Sequence, residues 1–495
     1  MSLLSDLALE ARIAAQSMAD FVSGRGLRLG VTGLSRAGKT VFITALVHDL
    51  MRLSALPRDD ARRYMPVFRV HAEGRLRRAI LDPQPDDAVP RFAYEDHLKA
   101  LTAGEARHWP QSTRRISELR LTLEFESTGG WRKGVSTLPI DIVDYPGEWL
   151  LDLPLLAKSY AQWSRETLDA SASAARAMLA KDWRGFITTL DPAATADEDL
   201  ARRAAEIFTA YLRACRDDQY ALSTLPPGRF LMPGDMEGSP ALTFAPLPVE
   251  EGVTPASGSL AAMMERRYEA YKTHVVRPFF RDHFARLDRQ IVLVDALAAL
   301  NSGPAAVRDL ETAMTDILTA FRSGRSTLLS SIFRPRIDRI LFAATKADHL
   351  HHTSHDRLEA ILQHLTGRAI ARAEGVGARV DVIAMAAVRA TREAAVRHEG
   401  ETLEAIVGSP LAGERVGGDI FDGSQEAAIF PGELPADPKA VFRGDALATP
   451  AEEADWRFAR FRPPLASSGS DGKPLPLPHI RLDRALEFLL GDRLG

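Results

Sequence analysis

Lys39 and Thr40 end the octet GLSRAGKT, residues 33–40, and this octet carries the clearest chemistry in the chain. Its G-x-x-x-x-G-K-[ST] spacing is that of a phosphate-binding loop. It follows a short apolar run, Leu27–Thr32, and opens a helix-forming run, Thr40–Leu53. In a strand–loop–helix setting, Gly33 and Gly38 allow a tight turn whose N–H groups face phosphate oxygens. Lys39 then reaches the β- and γ-phosphates, and the Thr40 hydroxyl ligates Mg²⁺. The helix N-terminus adds its dipole. The nucleotide contacts expected from this loop are Gly33, Ser35, Arg36, Ala37, Gly38, Lys39, Thr40 and Val41.

A second motif follows a strand rich in β-branched residues. Residues 138–148 read LPIDIVDYPGE, with Asp144 at the strand end and Asp144-Tyr145-Pro146-Gly147 in the D-x-x-G form. An Asp so placed holds Mg²⁺ through water, and the Gly147 N–H senses a γ-phosphate. Glu148 stands where a side chain can orient water or act as a base; a surface carboxylate is the alternative. Arg36 is a second candidate, as a cation acting in cis. Leu119, Leu121, Leu123 and Phe125 alternate with polar residues and predict a half-buried strand. The Gly129-Gly130 turn region leads back from it to the Leu138 strand as a hairpin. That places a switch just before residue 119, where Thr113 or Ser112 can supply a second hydroxyl to Mg²⁺. The expected metal set is Thr40, Thr113 and Asp144; the expected catalytic set is Lys39, Thr113, Asp144, Gly147 and Glu148.

A third motif addresses the base. Residues 339–348, RILFAATKAD, end a strand in Thr345-Lys346-Ala347-Asp348. This is the N-K-x-D pattern with Thr for Asn. The Asp348 carboxylate can accept from guanine N1–H and its exocyclic amine, donors that adenine lacks on that edge. Lys346 can cover a base face. The next strand, Val380–Met385, leads to Ala386, Ala387 and Val388, where a backbone N–H of Ala386 or Ala387 can meet the guanine carbonyl.

Over nearly its whole length the chain resembles the YcjX-like P-loop GTPases, bacterial proteins associated with stress responses. The resemblance rests on these motifs and on longer strings: DYPGEWLLDLPLL at 144–156, RFLMPGDMEGSPAL at 229–242, RLDRQIVLVDALAALNSG at 286–303, LFAATKADHL at 341–350 and PLPHIRLDRALEFLLGDRL at 476–494. It implies an α/β P-loop NTPase fold: a Ras-like core with a mixed, mostly parallel sheet, a large helical insertion and a C-terminal extension. It implies a switch protein that binds and hydrolyses GTP but supplies no target; Mg²⁺ as cofactor and an unidentified protein partner are expected with it.

Motif spacing requires insertions. The expected segments are 1–53 with the phosphate loop, 54–112 as an insertion with little periodicity, 113–149 as hairpin and second switch, 150–288 as a helical insertion, 289–400 as the base-binding part of the core and 401–495 as an extension packed on it. Alanine- and charge-rich stretches at 155–188, 196–216 and 258–285 predict helices. Leu482, Ala485, Leu486 and Leu489 predict an inward face on a terminal helix. Residues 3–22 carry an apolar stripe that predicts a packed helix, and acidic residues there argue against a secretory leader.

The 495 residues suffice for two or three domains, and a net charge of −4 gives no electrostatic basis for nucleic-acid binding. Cys215 is the single cysteine, which excludes an intramolecular disulfide. The expected location is the cytosol, with peripheral inner-membrane attachment as the alternative. A nucleotide-bound scaffold with little hydrolysis, a dynamin-like membrane GTPase and an ATPase are the rival readings. His349, His351, His352 and His355 crowd the loop after Asp348, but their spacing forms no closed zinc pattern; a polar loop beside the base pocket is expected. Arg334, Arg336 and Arg339 predict a solvated basic face.

Overall fold

The computed structural model describes residues 26–495 except 35, 57–62, 85, 129–133, 321–336, 376, 399–400, 417, 444–456 and 470. The expected N-terminal helix, Ser35, the Gly129-Gly130 turn, Arg334 and Arg336 lie outside the described residues.

Seven strands form one sheet: β1 (Leu27–Gly33), β2 (Leu76–Leu81), β3 (Ser117–Ser127), β4 (Gly134–Asp144), β5 (Arg289–Val294), β6 (Arg339–Ala344) and β7 (Arg379–Ala384). Their order is β2-β3-β4-β1-β5-β6-β7. β4, β1, β5, β6 and β7 run parallel, while β3 joins β4 and β2 joins β3 antiparallel. This is the α/β architecture expected of a P-loop NTPase core, carrying helical insertions.

The apolar runs of β5 and β6 follow from burial on both faces. Ile291, Leu293, Leu341 and Ala343 join one core with Leu29 and Val31. Their alternates, Val292, Val294, Phe342 and Ala344, join the other. On the first face lies helix α1 (Lys39–Leu53), with Phe42, Ile43, Leu46 and Leu50 buried. Helix α2 (Leu482–Leu490) completes that core through Leu482, Ala485, Leu486 and Leu489, all fully buried as their spacing predicts. Each leucine so buried contributes about 1.5–3 kcal/mol. Asp49 on α1 accepts from Leu477 N at 2.8 Å and His48 Nε2 meets Leu475 O at 3.0 Å, which fixes the preceding chain.

The second face is covered by helices Pro304–Ala320 and His355–Gly375 and by the chain between β4 and β5. A 3₁₀-wound stretch, Gly147–Ala157, leads into helices Tyr160–Ser171, Glu198–Arg216 and Leu260–Tyr271. Ser159, Asp197 and Ser259 cap them by accepting from Gln162, Leu200 and Ala262 N–H groups. Trp163, Phe208, Phe244 and Tyr268 form an aromatic centre there.

Residues 54–112 are more regular than their sequence suggests, holding β2 and a helix at Tyr94–Thr102. β2 is an edge strand with exposed Arg77 and Arg78, so charge hides its period. Beyond β7, β8 (Arg392–His398) and β9 (Glu401–Gly408) form a hairpin extended by Ala427–Ile429. Among the described residues no helix is long and apolar enough to cross a membrane.

Candidate nucleotide site

The octet sits where β1 gives way to α1. Gly38 caps the helix at φ 86°, a left-handed conformation that favours glycine. Gly33 owes its identity to close approach rather than to the turn. It ends β1, and a Cβ there would lie 2.5 Å from the Leu293 carbonyl oxygen on β5. Lys39 is buried and donates from Nζ to Gly33 O at 2.7 Å. Arg36 takes φ 62° and pairs with Asp218.

Three polar groups converge at the start of α1. The hydroxyls of Thr40 and Thr113 are 3.3 Å apart, and Thr113 Oγ1 donates to Asp144 Oδ2 at 2.6 Å. Thr113, rather than exposed Ser112, therefore reaches the carboxylate at the end of β4. Burial pushes the Asp144 carboxyl up to about 6, against the opposing pull of Lys39 and the Thr113 hydrogen bond. Its Oδ1 is buried without a hydrogen-bond partner. Two hydroxyls and an unsatisfied buried carboxylate oxygen, with an ammonium nearby, fit a hard divalent cation such as Mg²⁺ beside phosphates.

A cavity of about 290 Å³ opens beside these residues. Its lining includes Arg36, Ala37, Gly38, Lys39, Thr40 and Val41 from the octet, and Ser112 and Thr113. Thr345, Lys346 and Asp348 follow β6 into the same cavity, and Ala386, Ala387 and Val388 follow β7. Parallel β1, β6 and β7 end on one side of the sheet, which brings together segments some 300 residues apart. Gly33, Asp144, Gly147 and Glu148 stand outside the lining.

The base-motif loop is pinned. Lys346 adopts φ 62° and pairs with Asp295 at 2.5 Å. Asp348 Oδ2 accepts from Ala390 N at 2.8 Å, and Thr391 Oγ1 donates to Asp348 O. Thr345 packs toward Val294 O at 3.4 Å. Ala386 N–H is engaged by Ile480 O at 3.0 Å, so Ala387 is the better of the two alanines for a ligand contact.

Gly147 rests on the octet itself: a Cβ there would fall 1.8 Å from Gly33 O. Glu148 is buried and faces Arg216 at 3.4 Å, in a neighbouring cavity of about 690 Å³. Trp149 Nε1 donates to Met232 O at 2.8 Å, and the Arg229 guanidinium lies 3.2 Å from its ring centre. Asp152 accepts from Gly228 N at 2.7 Å and Tyr271 OH at 2.6 Å, and burial pushes its carboxyl up to about 7.

The sequence model of the YcjX-like family, DUF463, matches residues 27–494. The chain belongs to this family. It is 40% identical over 479 residues to the Ras-like GTPase YcjX of Escherichia coli (strain K12), covering 95% of this chain and 96% of that one. It is 36% identical over 494 residues to the Ras-like GTPase YcjX of Shewanella oneidensis, covering 97% of each.

Among the residues lining the 290 Å³ cavity that sequence reasoning on this YcjX-like chain missed are Trp109, Leu411, Arg460 and Phe461. Trp109 Nε1 donates to Phe461 O at 2.6 Å, and Arg107 Nε to Pro463 O at 2.6 Å. Arg460 pairs with Asp218 and Glu414. The available signal was the run RFARFRPP at 457–464, basic and aromatic within a Pro-rich stretch.

Proposed function

We propose that this protein binds GTP with Mg²⁺ in the 290 Å³ cavity, hydrolyses it, and uses the Gly147–Ala157 segment to report the nucleotide state to the helical insertion. The observation that carries this is the lining of that one cavity. A phosphate loop, a switch threonine and a guanine-type Asp loop meet there.

The phosphates lie along residues 36–41, where Lys39 neutralises charge and the α1 N-terminus supplies N–H groups. Thr40, Thr113 and Asp144 hold Mg²⁺, which when bound neutralises charge developing on the phosphates. Asp348 accepts from the guanine edge, while Lys346 and Ala387 flank the base. Gly147 meets the γ-phosphate through its N–H. Trp149 and Asp152, anchored in the helical insertion, carry any displacement of Gly147 into it.

A role in a stress response is part of this proposal and rests on the family resemblance, which supplies no target; a cytosolic location and a protein partner that reads the helical insertion are proposed with it. The names of the two relatives support the GTPase reading.

One observation favours a second reading, a nucleotide-bound scaffold that hydrolyses little. Glu148 is paired with Arg216 and lines the neighbouring cavity rather than the one that Lys39 lines. Single-turnover hydrolysis of γ-labelled GTP, with Lys39→Ala as control, separates the two. Phosphate release well above the Lys39→Ala background is expected; release equal to that background in the natural protein leaves the scaffold.

A further inference from the structure

The histidines after Asp348 do not act as one cluster. His349 is buried, its ring edge-on to Phe461 at 5.4 Å, and His355 Nε2 is bonded to Ala347 O at 2.9 Å. His351 and His352 instead turn outward toward the β8–β9 hairpin, where they meet Glu393 and Glu404. One ligand atom each from His351, His352 and Glu393 lies within 4.8 Å of the others. We propose that these three side chains form a binding site for a divalent transition metal of the Zn²⁺ class.

The hydrogen bonds around the site fix which atoms face its centre. Thr353 Oγ1 donates its one proton to Glu404 Oε2 at 2.9 Å. That same oxygen lies 3.1 Å from His351 Nδ1 and can there only accept. His351 Nδ1 also lies 3.1 Å from Glu404 Oε2, an acceptor. Nδ1 therefore carries a proton, and in the neutral ring Nε2 presents a lone pair. That nitrogen faces Glu393 Oε2 at 3.9 Å, beyond hydrogen-bond distance. A metal cation between them would take lone pairs from both. A carboxylate bonded to the far nitrogen of a ligating imidazole is the usual way such a ring is oriented and made more basic, and Glu404 has that place.

Glu393 is oriented too. Its Oε1 accepts from His352 N at 3.2 Å and lies 3.6 Å from Arg389 Nη2. Its Oε2 is left to the imidazoles, 2.9 Å from His352 Nδ1. Donors around a tetrahedral Zn²⁺ with bonds near 2.0–2.1 Å stand roughly 3.3 Å apart. The distances of 2.9 and 3.9 Å to Glu393 bracket that value, and all three atoms lie within 4.8 Å of one another, so side-chain rotation would close the site on a cation. Two imidazoles and one carboxylate suit Zn²⁺, Co²⁺ or Ni²⁺ rather than Mg²⁺ or Ca²⁺. The His352 side chain is 64% exposed, which leaves room for a water ligand and an entry path. The cation would tie the loop that follows Asp348 to the hairpin that follows Ala390, the two chain segments already joined through Asp348.

The test uses untagged, full-length, nucleotide-free protein, stripped with chelator and titrated with Co²⁺ by visible absorption. One Co²⁺ per chain with d–d bands of a nitrogen-bearing site is expected, displaced by Zn²⁺. His351→Ala and Glu393→Gln should each weaken binding more than tenfold, and Glu404→Gln by 10- to 100-fold. Thr40→Ala should leave the bands unchanged, which separates this site from the phosphate loop. Hydrogen exchange at residues 349–354 should slow on loading. Should a core variant fail to fold, the exposed His352→Ala serves instead. Absence of a saturable Co²⁺ spectrum, or equal binding by the natural protein and folded His352→Ala, overturns the proposal.

Discussion

Gly147→Ala probes the contact on which the switch depends. In the structure a Cβ at residue 147 would stand 1.8 Å from Gly33 O, 2.5 Å from Gly33 C and 3.0 Å from Leu34 N. All three are backbone atoms, so no side-chain rotation relieves the overlap. Real Cβ contacts essentially never fall below 3.0 Å. The D-x-x-G segment and the end of β1 must therefore part by at least about 1.2 Å. The next residue is closely packed as well: a Cβ at Gly228 would fall 1.8 Å from Glu148 O. Overpacking of this kind costs about 1–3 kcal/mol of stability. A displacement near 1 Å at a reacting centre can lower a rate by about 10²-fold. Urea unfolding and single-turnover GTP hydrolysis measure the two effects. GDP affinity should fall much less than the rate, because a γ-phosphate contact at Gly147 is absent with GDP. Natural stability together with natural hydrolysis in Gly147→Ala would refute the reasoning.

Lys39→Ala should weaken GTP binding by about 1.5–3 kcal/mol through loss of a charge-assisted phosphate contact, and Thr40→Ala should weaken Mg²⁺-dependent binding; equilibrium titration with a fluorescent GTP analogue checks both. Asp348→Asn should lower affinity for GTP and raise it for xanthosine triphosphate, each hydrogen bond counting about 0.5–1.5 kcal/mol, and competition binding reads the change. Trp109→Phe removes the bond to Phe461 O and should speed GDP release about two- to tenfold in stopped flow. Asp152 has its folded pKa raised from 3.8 to about 7 by burial, so between those values the native state holds a proton that the unfolded chain has lost. Stability from this group is full below the lower value and falls as pH rises toward the upper one, by on the order of 4 kcal/mol. Asp152→Asn should therefore flatten the decline in urea midpoint between pH 5 and 7.5; an unchanged slope would assign the decline to other groups.

The parts of this molecule written in local sequence were legible. Alternation in Leu119–Phe125 gave strand β3, the expected return to the Leu138 strand gave its pairing with β4, and Leu482, Ala485, Leu486 and Leu489 gave the buried face of the last helix. The octet and the loops after β6 and β7 were placed because each follows a strand of one parallel sheet, which must deliver their ends to one side. What was not legible depends on partners distant in sequence. Phe461 and Arg460 close the cavity only because the chain returns across the Trp109 loop. Glu148 faces Arg216, a residue of the helical insertion whose position no local pattern reveals. The histidine loop lacks a complete metal pattern because its carboxylate comes from β8, 41 residues beyond His352. β2 escaped notice because an edge strand with an arginine-rich exposed side has no apolar period.

The central claim is that one cavity reads both phosphates and a guanine edge. Isothermal titration of the nucleotide-free protein with GTP, GDP and ATP in the presence of Mg²⁺ tests it most directly. The account predicts one site per chain for GTP and for GDP, with ATP at least about tenfold weaker because adenine offers neither donor to Asp348. Equal affinity for ATP and GTP, or no binding of either, would contradict it.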